Sequence, residues 1–336
     1  MLVMGWPSRK EGVRLKLLVS LNTLELETYL KFTNSFIIGL ENYSINYYNA
    51  SIEEIEQMLK KYPDIDLFIS MNKNIFNEDL PDLKEKLLEL NRMNIKGIFF
   101  YDLSILNLIK ELNLNIPLVI SQDHLITNYN ICNYYFNKGV TYANLSSDIT
   151  VNEIIDIGEK TNGKLMTFFF GNILVTHSKR KLLTNFYDFY KLDKTLNNEI
   201  ENPNNLNYNR KTEKTDLKLD LKEKNIENKK SGLINEKNKE EMYYIEENKI
   251  GTNILTKKIL NAAKYFFQLK NVLDYAILDS NVRNFEQNDF LNILRLYKLA
   301  LDDKINETDF IKENEKIMKG ELYEGFFNKK TIYKVK

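Results

Sequence analysis

Short apolar runs alternate with amphipathic stretches along most of this sequence, a pattern that parallel strands joined by helices satisfy. The runs are 16–21 (KLLVSL), 36–40 (FIIGL), 67–71 (LFISM), 97–101 (GIFFY), 117–121 (PLVIS), 142–146 (YANLS), 165–170 (LMTFFF) and 275–279 (YAILD). Amphipathic stretches follow them: one from Thr23, one capped at Ser51, then 79–94, 103–112, 128–137, 151–160 and, after the last run, 289–301. Ser51 with Glu54 three residues on has the spacing of a capping box, in which a hydroxyl and a carboxylate satisfy free N–H groups at a helix start. The runs are apolar throughout, as strands covered on both faces must be. Eight strand–helix units close a parallel barrel without edges, so the expected fold is a (β/α)8 TIM-like barrel. An open doubly wound sheet is the alternative.

The regularity breaks between the seventh and eighth runs. Residues 193–241 are mostly Asn, Lys, Glu and Asp, with Tyr208 the only aromatic, and form a long low-complexity insert. Such a stretch buries too little apolar area to offset its ordering entropy, so it is expected to be mobile or marginally helical. Beyond it, 243–245 and 252–255 flank a polar turn and predict a hairpin, and 257–269 carries the spacing of a helix. The expected organisation is an N-terminal extension over 1–14 and barrel units one to seven over 15–192. After the 193–241 insert, 242–334 would complete the same domain.

Charge and cysteine usage bound the chemistry. Lys plus Arg and Asp plus Glu are 47 each, so the chain has no net field to gather nucleic acid, although a local basic rim stays open to it. One cysteine, Cys132, excludes an internal disulfide and any multi-thiolate metal site made by this chain alone. It sits among Ile131, Tyr134, Tyr135 and Phe136 and reads as a small buried hydrophobe. The two histidines, His124 and His177, leave little material for zinc. There is neither an apolar run of membrane-spanning length nor a signal-peptide pattern near Trp6, so a cytoplasmic, reducing location is expected.

In a barrel, binding groups stand beyond the C-terminal ends of the strands. Those positions hold Asn22, Glu41, Asn42, Asn72, Asp102, Gln122, Asp123, His124, Asn172 and Asp279. Most such residues serve as helix caps or first loop residues, so each carries a structural reading beside the functional one. The most unusual segment is 170–181 (FGNILVTHSKRK), which groups a histidine, a hydroxyl and three cations. Histidine exchanges protons near neutrality, and Lys and Arg suit carboxylate or phosphate, so an anionic ligand is the natural expectation. A helix start with a solvated basic turn is the plain alternative. The candidates are His177, Arg180 and Asp279 as catalytic residues, with Glu41, Asn72, Gln122, Ser178 and Lys179 as ligand-binding residues. His124, next to Asp123, reads as a capping or packing residue. No glycine-rich phosphate loop and no HExxH motif is present.

Five segments in order resemble the peptidase U32 family, the collagenase-like proteases: 36–44 (FIIGLENYS), 121–128 (SQDHLITN), 170–185 (FGNILVTHSKRKLLTN), 274–280 (DYAILDS) and 325–331 (GFFNKKT). The likeness covers about 15–190 and 242–334. In cluster-bearing relatives the signature stretch contains cysteines that help hold an iron–sulfur cluster. The matching positions here are Leu174 and Lys181, and the signature histidine is replaced by Phe170. The chain therefore resembles the short, cysteine-poor branch, whose members accompany a longer relative.

That resemblance implies participation in oxygen-independent hydroxylation, including 5-hydroxyuridine formation at the tRNA wobble position with prephenate implicated. It implies no iron–sulfur cluster in this chain, with prephenate or another small anion as the ligand. The partner would be a longer cysteine-containing U32 paralogue, through which tRNA would be met, with no membrane involved. The family name implies a peptidase instead, which would need a pair built on His177 and a strand-end carboxylate such as Asp279 or Glu41. No nucleophile–base pair and no hydrolytic metal site is visible in the sequence. A non-catalytic barrel scaffold is the remaining reading.

Overall fold

A computed structural model describes residues 15–196, 217–220, 230–236, 241–320 and 322–329. In chain order the first elements are β1 (Lys16–Ser20), β2 (Ser35–Leu40), β3 (Asn49–Ala50), α1 (Ile52–Lys61), β4 (Asp66–Met71), α2 (Leu80–Leu90), β5 (Gly97–Phe100) and α3 (Leu103–Glu111). There follow β6 (Leu118–Ile120), α4 (Tyr129–Asn137), β7 (Tyr142–Asn144), α5 (Val151–Lys160), β8 (Lys164–Ser178) and α6 (Leu182–Leu196). The remainder are β9 (Leu217–Asp220), β10 (Lys230–Glu236), β11 (Met242–Glu247), β12 (Thr252–Asn261), α7 (Phe266–Leu269), β13 (Tyr275–Asp279), α8 (Gln287–Leu301) and α9 (Glu307–Met318).

The chain divides into two compact units, Met1–Gly171 with Ile259–Lys336, and Asn172–Lys258. In the first, the strands pair in parallel in the order β1, β2, β4, β5, β6, β7, β8 and β13. β13 lies against both β8 and β1, which closes the ring. The eight-stranded (β/α)8 barrel expected from the apolar runs is therefore present. Its interior is filled by Leu18, Ile37, Phe68, Phe99, Val119, Tyr142, Met166, Tyr275 and Ile277. Phe68 lies at the centre, edge-on to Phe99, Tyr142 and Tyr275 at ring distances of 5.7, 5.5 and 5.4 Å. A Cβ at Gly97 would stand 2.8 Å from Pro117 O and 3.3 Å from the Phe68 ring, so this close approach needs glycine.

The capping box at Ser51 forms: its hydroxyl accepts from Glu54 N at 3.2 Å, and Glu54 Oε2 accepts from Ser51 N at 2.8 Å. Ser51→Ala is expected to lower stability by about 1 kcal/mol, measured by urea denaturation.

Three local expectations are corrected. The stretch from Thr23 is not a helix but a set of turns, because its two anchors, Leu26 and Tyr29, are fully buried by one turn of chain. The helix expected over 257–269 is strand as far as Asn261, then a 3-10 turn and the short α7. Buried Asn261 causes the break: its Oδ1 accepts from Ala263 N at 3.0 Å and Tyr297 Oη at 3.1 Å, and its Nδ2 donates to Asn314 Oδ1. The seventh strand does not end at Phe170 but runs on to Ser178, so 173–178 is strand rather than a mouth loop.

The second unit contains the outer part of β8, helix α6 and the antiparallel strands β9 to β12. Leu183, Ile234 and Ile245 form its core, with Tyr187, Tyr243 and Ile254 packed around them. The predicted hairpin is β11–β12, and it falls in this unit rather than completing the barrel domain. Two pieces of the expected structureless insert are strands, β9 and β10, and 193–196 ends α6. In β10 a single apolar residue among polar ones is buried among the described side chains: Ile234 is 8% exposed and pairs opposite Tyr243. The rest of the insert and the 1–14 extension lie outside the described residues.

Candidate functional site

Side chains alternate along a strand, so the position two beyond each core residue faces the same interior. At the C-terminal end of the barrel this next layer holds Ser20, Gly39, Ser70, Ser121, Asn144, Phe168 and Asp279. Apart from Gly39 and Phe168 it is polar, where the layer beneath is large and apolar; Tyr101, two beyond Phe99, is exposed. Asn144 Nδ2 donates to Ser121 Oγ at 3.0 Å, which confirms that neighbouring strands present these groups side by side.

The chain after β2 folds over this layer. Ser44 and Asn49 stand above Gly39, where a Cβ would come within 2.2 Å of Asn49 Oδ1 and 2.7 Å of Ser44 Oγ. Only glycine leaves that space. Asn72 Oδ1 accepts from Ser44 Oγ at 3.1 Å and Ile45 N at 2.9 Å, so the predicted ligand-binding Asn72 holds this loop. Tyr47, from the same loop, packs against the barrel core. Burial, with the carboxylates of Asp123 and Asp279 adding to it, pushes its phenol well above the usual range, so Tyr47 is a neutral donor at any ordinary pH.

Asp279 is 4% exposed at the end of β13. Arg283 Nη1 lies 3.9 Å from it and donates to Asn281 O at 2.7 Å, while Arg283 Nη2 donates to Asn46 Oδ1 at 2.9 Å. Arg283 thus ties the turn after β13 to the loop after β2 and balances a buried carboxylate. The sequence reading missed both Arg283 and Tyr47, because each lies in a loop where hydrophobic periodicity is silent. Glu41 is exposed. Gln122 Nε2 donates to Tyr101 O at 2.7 Å, and its Oε1 accepts from Tyr135 Oη at 3.4 Å. Asp102 caps α3 through Ser104 N. His124 Nδ1 lies 2.8 Å from Asp148 Oδ2 on the surface, and Asp148 N donates to Ser146 Oγ at 3.1 Å.

Four buried polar side-chain atoms among the described residues have no hydrogen-bond partner: Asn49 Oδ1, Ser70 Oγ, Asn144 Oδ1 and Ser104 Oγ. The first three belong to the mouth layer or stand directly over it; Ser104 is in the first turn of α3.

In the second unit, His177 Nδ1 lies 2.7 Å from Asn253 Oδ1. With that oxygen accepting, Nδ1 carries the proton and Nε2 is the basic nitrogen. Gly251 (φ +152°) packs against the same turn, and a Cβ there would meet Ser178 O at 2.2 Å. Ser178 Oγ accepts from Arg180 N at 3.2 Å, and the side chains of Lys179, Arg180 and Lys181 are exposed. The N-terminus of α6, the obvious anion seat beside them, is already filled. Buried Glu247 accepts there from Leu183 N at 2.8 Å and Thr184 N at 3.1 Å, and also from the Thr184 hydroxyl. Any anion at this turn is left to the basic side chains alone. His177, Ser178, Lys179 and Arg180 therefore share one turn of the second unit, and Glu41, Asn72, Gln122 and Asp279 belong to the first.

The residues do not fit an iron–sulfur cluster. Leu174 and Lys181 offer no thiolate, and Phe170, where the family signature has histidine, is buried against Phe285 and Phe290. The single thiol, Cys132, is fully buried in α4, and burial pushes it up to about 12 from an ordinary 9.0. Folded protein at pH 8 is expected to resist iodoacetamide, while urea-unfolded protein is alkylated within minutes; equal rates would contradict that burial. The sign of the linkage follows. An unfolded thiol ionises above about pH 9 and the folded one does not, so this group favours unfolding as pH rises past that value. Among the described residues no three His, Cys, Asp or Glu side chains gather as a metal-binding group, and no helix is long and apolar enough to cross a membrane.

A closed (β/α)8 barrel with a polar layer at the C-terminal ends of its strands defines the class of this protein. Peptidase family U32 matches residues 31–335, and the chain belongs to that family. It is similar to the tRNA hydroxylation protein P2 of Bacillus subtilis (strain 168), 22% identical over 282 residues, which are 80% of this chain and 81% of that one. It is also similar to the tRNA hydroxylation protein P1 of the same organism, 24% identical over 157 residues, 45% of this chain and 37% of P1. The solved U32 peptidase Mk0906 aligns over 58% of this chain and 84% of that one at 12% identity, with a TM-score of 0.41.

Proposed function

We propose that this chain is a cluster-less U32 protein of a tRNA-hydroxylating system, a subunit or paralogue in 5-hydroxyuridine formation at the wobble position. The observation that carries the reading is the similarity to P2 along four-fifths of both chains, combined with a sequence whose only thiol is buried in a helix. The chemistry that needs a cluster would then lie on a longer cysteine-containing relative. P1 is longer than this chain, since one matched stretch is 45% of this chain and 37% of P1. In this reading the basic turn of Lys179 and Arg180, with His177 and Ser178, meets a phosphate or a small carboxylate such as prephenate. Asp279, Glu41, Asn72 and Gln122 act at the barrel mouth, Asp279 as the buried charge and Asn72 by fixing the loop over it. The location is cytoplasmic, where tRNA is modified.

The test is a pull-down of the tagged chain from its native host under anaerobic conditions, followed by mass spectrometry, iron analysis and probing for tRNA. A cysteine-containing U32 relative carrying iron is the expected companion. Recovery of a clean, iron-free protein with neither relative nor RNA would overturn the subunit reading.

A further inference from the structure

Ser70 is 0% exposed, and its hydroxyl has no partner. Buried polar atoms nearly always find one, because an unmade hydrogen bond inside a protein carries the full desolvation cost. Here three orphans belong to the C-terminal layer of the barrel or stand over it. Ser70 pairs laterally with Gly39 across β2 and β4, and Asn49 Oδ1 stands directly over Gly39. Asn144 Oδ1 faces the same layer from β7. The Asn49 amide orientation is fixed by its other end, since Nδ2 donates to Ser44 O at 3.2 Å, which only accepts; Asn144 meets the Ser121 hydroxyl, which accepts from Nδ2 and can equally donate to Oδ1. What remains is the Asn49 carbonyl oxygen, the Ser70 hydroxyl and one end of the Asn144 amide in this layer, where Tyr47 and Phe168 pack on the core.

The charge in this layer restricts the ligand. Asp279 is buried there, and its nearby cation, Arg283, already spends both terminal nitrogens on Asn281 O and Asn46 Oδ1. A carboxylate or phosphate placed beside the Asn49 amide oxygen and Asp279 meets an acceptor and like charge. An uncharged ligand bearing donors meets partners.

We propose that the C-terminal layer of the barrel is a binding site for a small, uncharged ring compound that donates hydrogen bonds to Asn49 Oδ1 and Ser70 Oγ and pairs with the Asn144 amide, beside Tyr47 and Phe168. This rests on the reading above for its place in the pathway only. The site is distinct from the basic turn of the second unit, where an anion would bind. Ring stacking and edge hydrogen bonds are the usual means of holding a nucleobase-sized compound.

The experiment is calorimetric titration of the full chain with uridine, which has a ring N–H and ribose hydroxyls, and separately with prephenate, which is doubly charged. Ser70→Ala and Asn144→Ala are compared with the parent, and the melting temperature of each ligand-free protein is measured alongside. Uridine is expected to bind the parent, each variant to weaken it about tenfold, and the effect on prephenate to be nil. Ligand-free Ser70→Ala is expected to melt at or above the parent temperature, because an unmatched hydroxyl has been removed. Absence of uridine binding, equal binding by all three proteins, or a loss of prephenate binding in the variants would overturn the assignment. A clear drop in the melting temperature of Ser70→Ala would do so too, since it would show the hydroxyl matched by a structural water. None of these outcomes bears on whether the chain belongs to a tRNA-hydroxylating system, which the pull-down decides.

Discussion

Phe68→Ala is expected to lower the stability of the barrel by about 3–5 kcal/mol, the largest effect of any single truncation considered for this chain. The ring is fully buried and is the hub of an edge-to-face cluster with Phe99, Tyr142 and Tyr275. Each partner is anchored on a different strand of a closed ring, so the walls cannot move in to fill the void. The lost apolar area and the unfilled cavity therefore both count in full. For a unit of this size the melting temperature should fall by roughly 10 °C. Guanidinium denaturation followed by near-ultraviolet circular dichroism would register the change, because the Tyr rings around Phe68 report on this core. A loss under about 1 kcal/mol would mean that the interior repacks freely, which a closed barrel of this kind does not allow.

Glu247→Ala is expected to disrupt the second unit selectively, at a cost of about 2–3 kcal/mol. Glu247 is 4% exposed and receives the first free N–H groups of α6 together with the Thr184 hydroxyl. Removing it strands those donors away from water at the end of a helix that covers the small core of Leu183, Ile234 and Ile245. Glu247→Gln keeps an acceptor in place but loses the charge that the helix terminus favours, so a smaller loss of about 1 kcal/mol is expected. Hydrogen exchange resolved by peptide would show faster exchange over 182–196 and 242–256 in Glu247→Ala, with the barrel strands unchanged. Uniform protection in both units would contradict the capping role.

How much of this could be read beforehand depends on what kind of signal each part leaves. The barrel strands were legible because burial on both faces demands unbroken apolar runs, and 275–279 is recognisable even after a long interruption. The Ser51–Glu54 box was legible because its two partners are three residues apart. What failed to show was structure that rests on single residues. Asn261 stops a helix-like pattern through side-chain bonds to Ala263, Tyr297 and Asn314, none of which periodicity contains. β10 is a strand in a polar stretch, with Ile234 buried opposite Tyr243. At the mouth, Asn72 and Asp279 were marked by position after their strands, whereas Tyr47 and Arg283 come from loops whose fold only the tertiary structure fixes. The inward polar layer was present in the sequence as the second residue beyond most core positions. It needed the register to become visible: Ser70, Ser121 and Asn144 look like ordinary strand-end residues until Phe68, Val119 and Tyr142 are known to point inward.

The modification state of tRNA tests the proposed function most directly. Nucleoside mass spectrometry of total tRNA should be compared between the native host, a strain lacking this gene, and that strain carrying the gene on a plasmid. The predicted result is loss or marked reduction of 5-hydroxyuridine and its derivatives on deletion, restored by the plasmid copy. Unchanged 5-hydroxyuridine in a deletion strain of a host that makes the modification would contradict the proposed function.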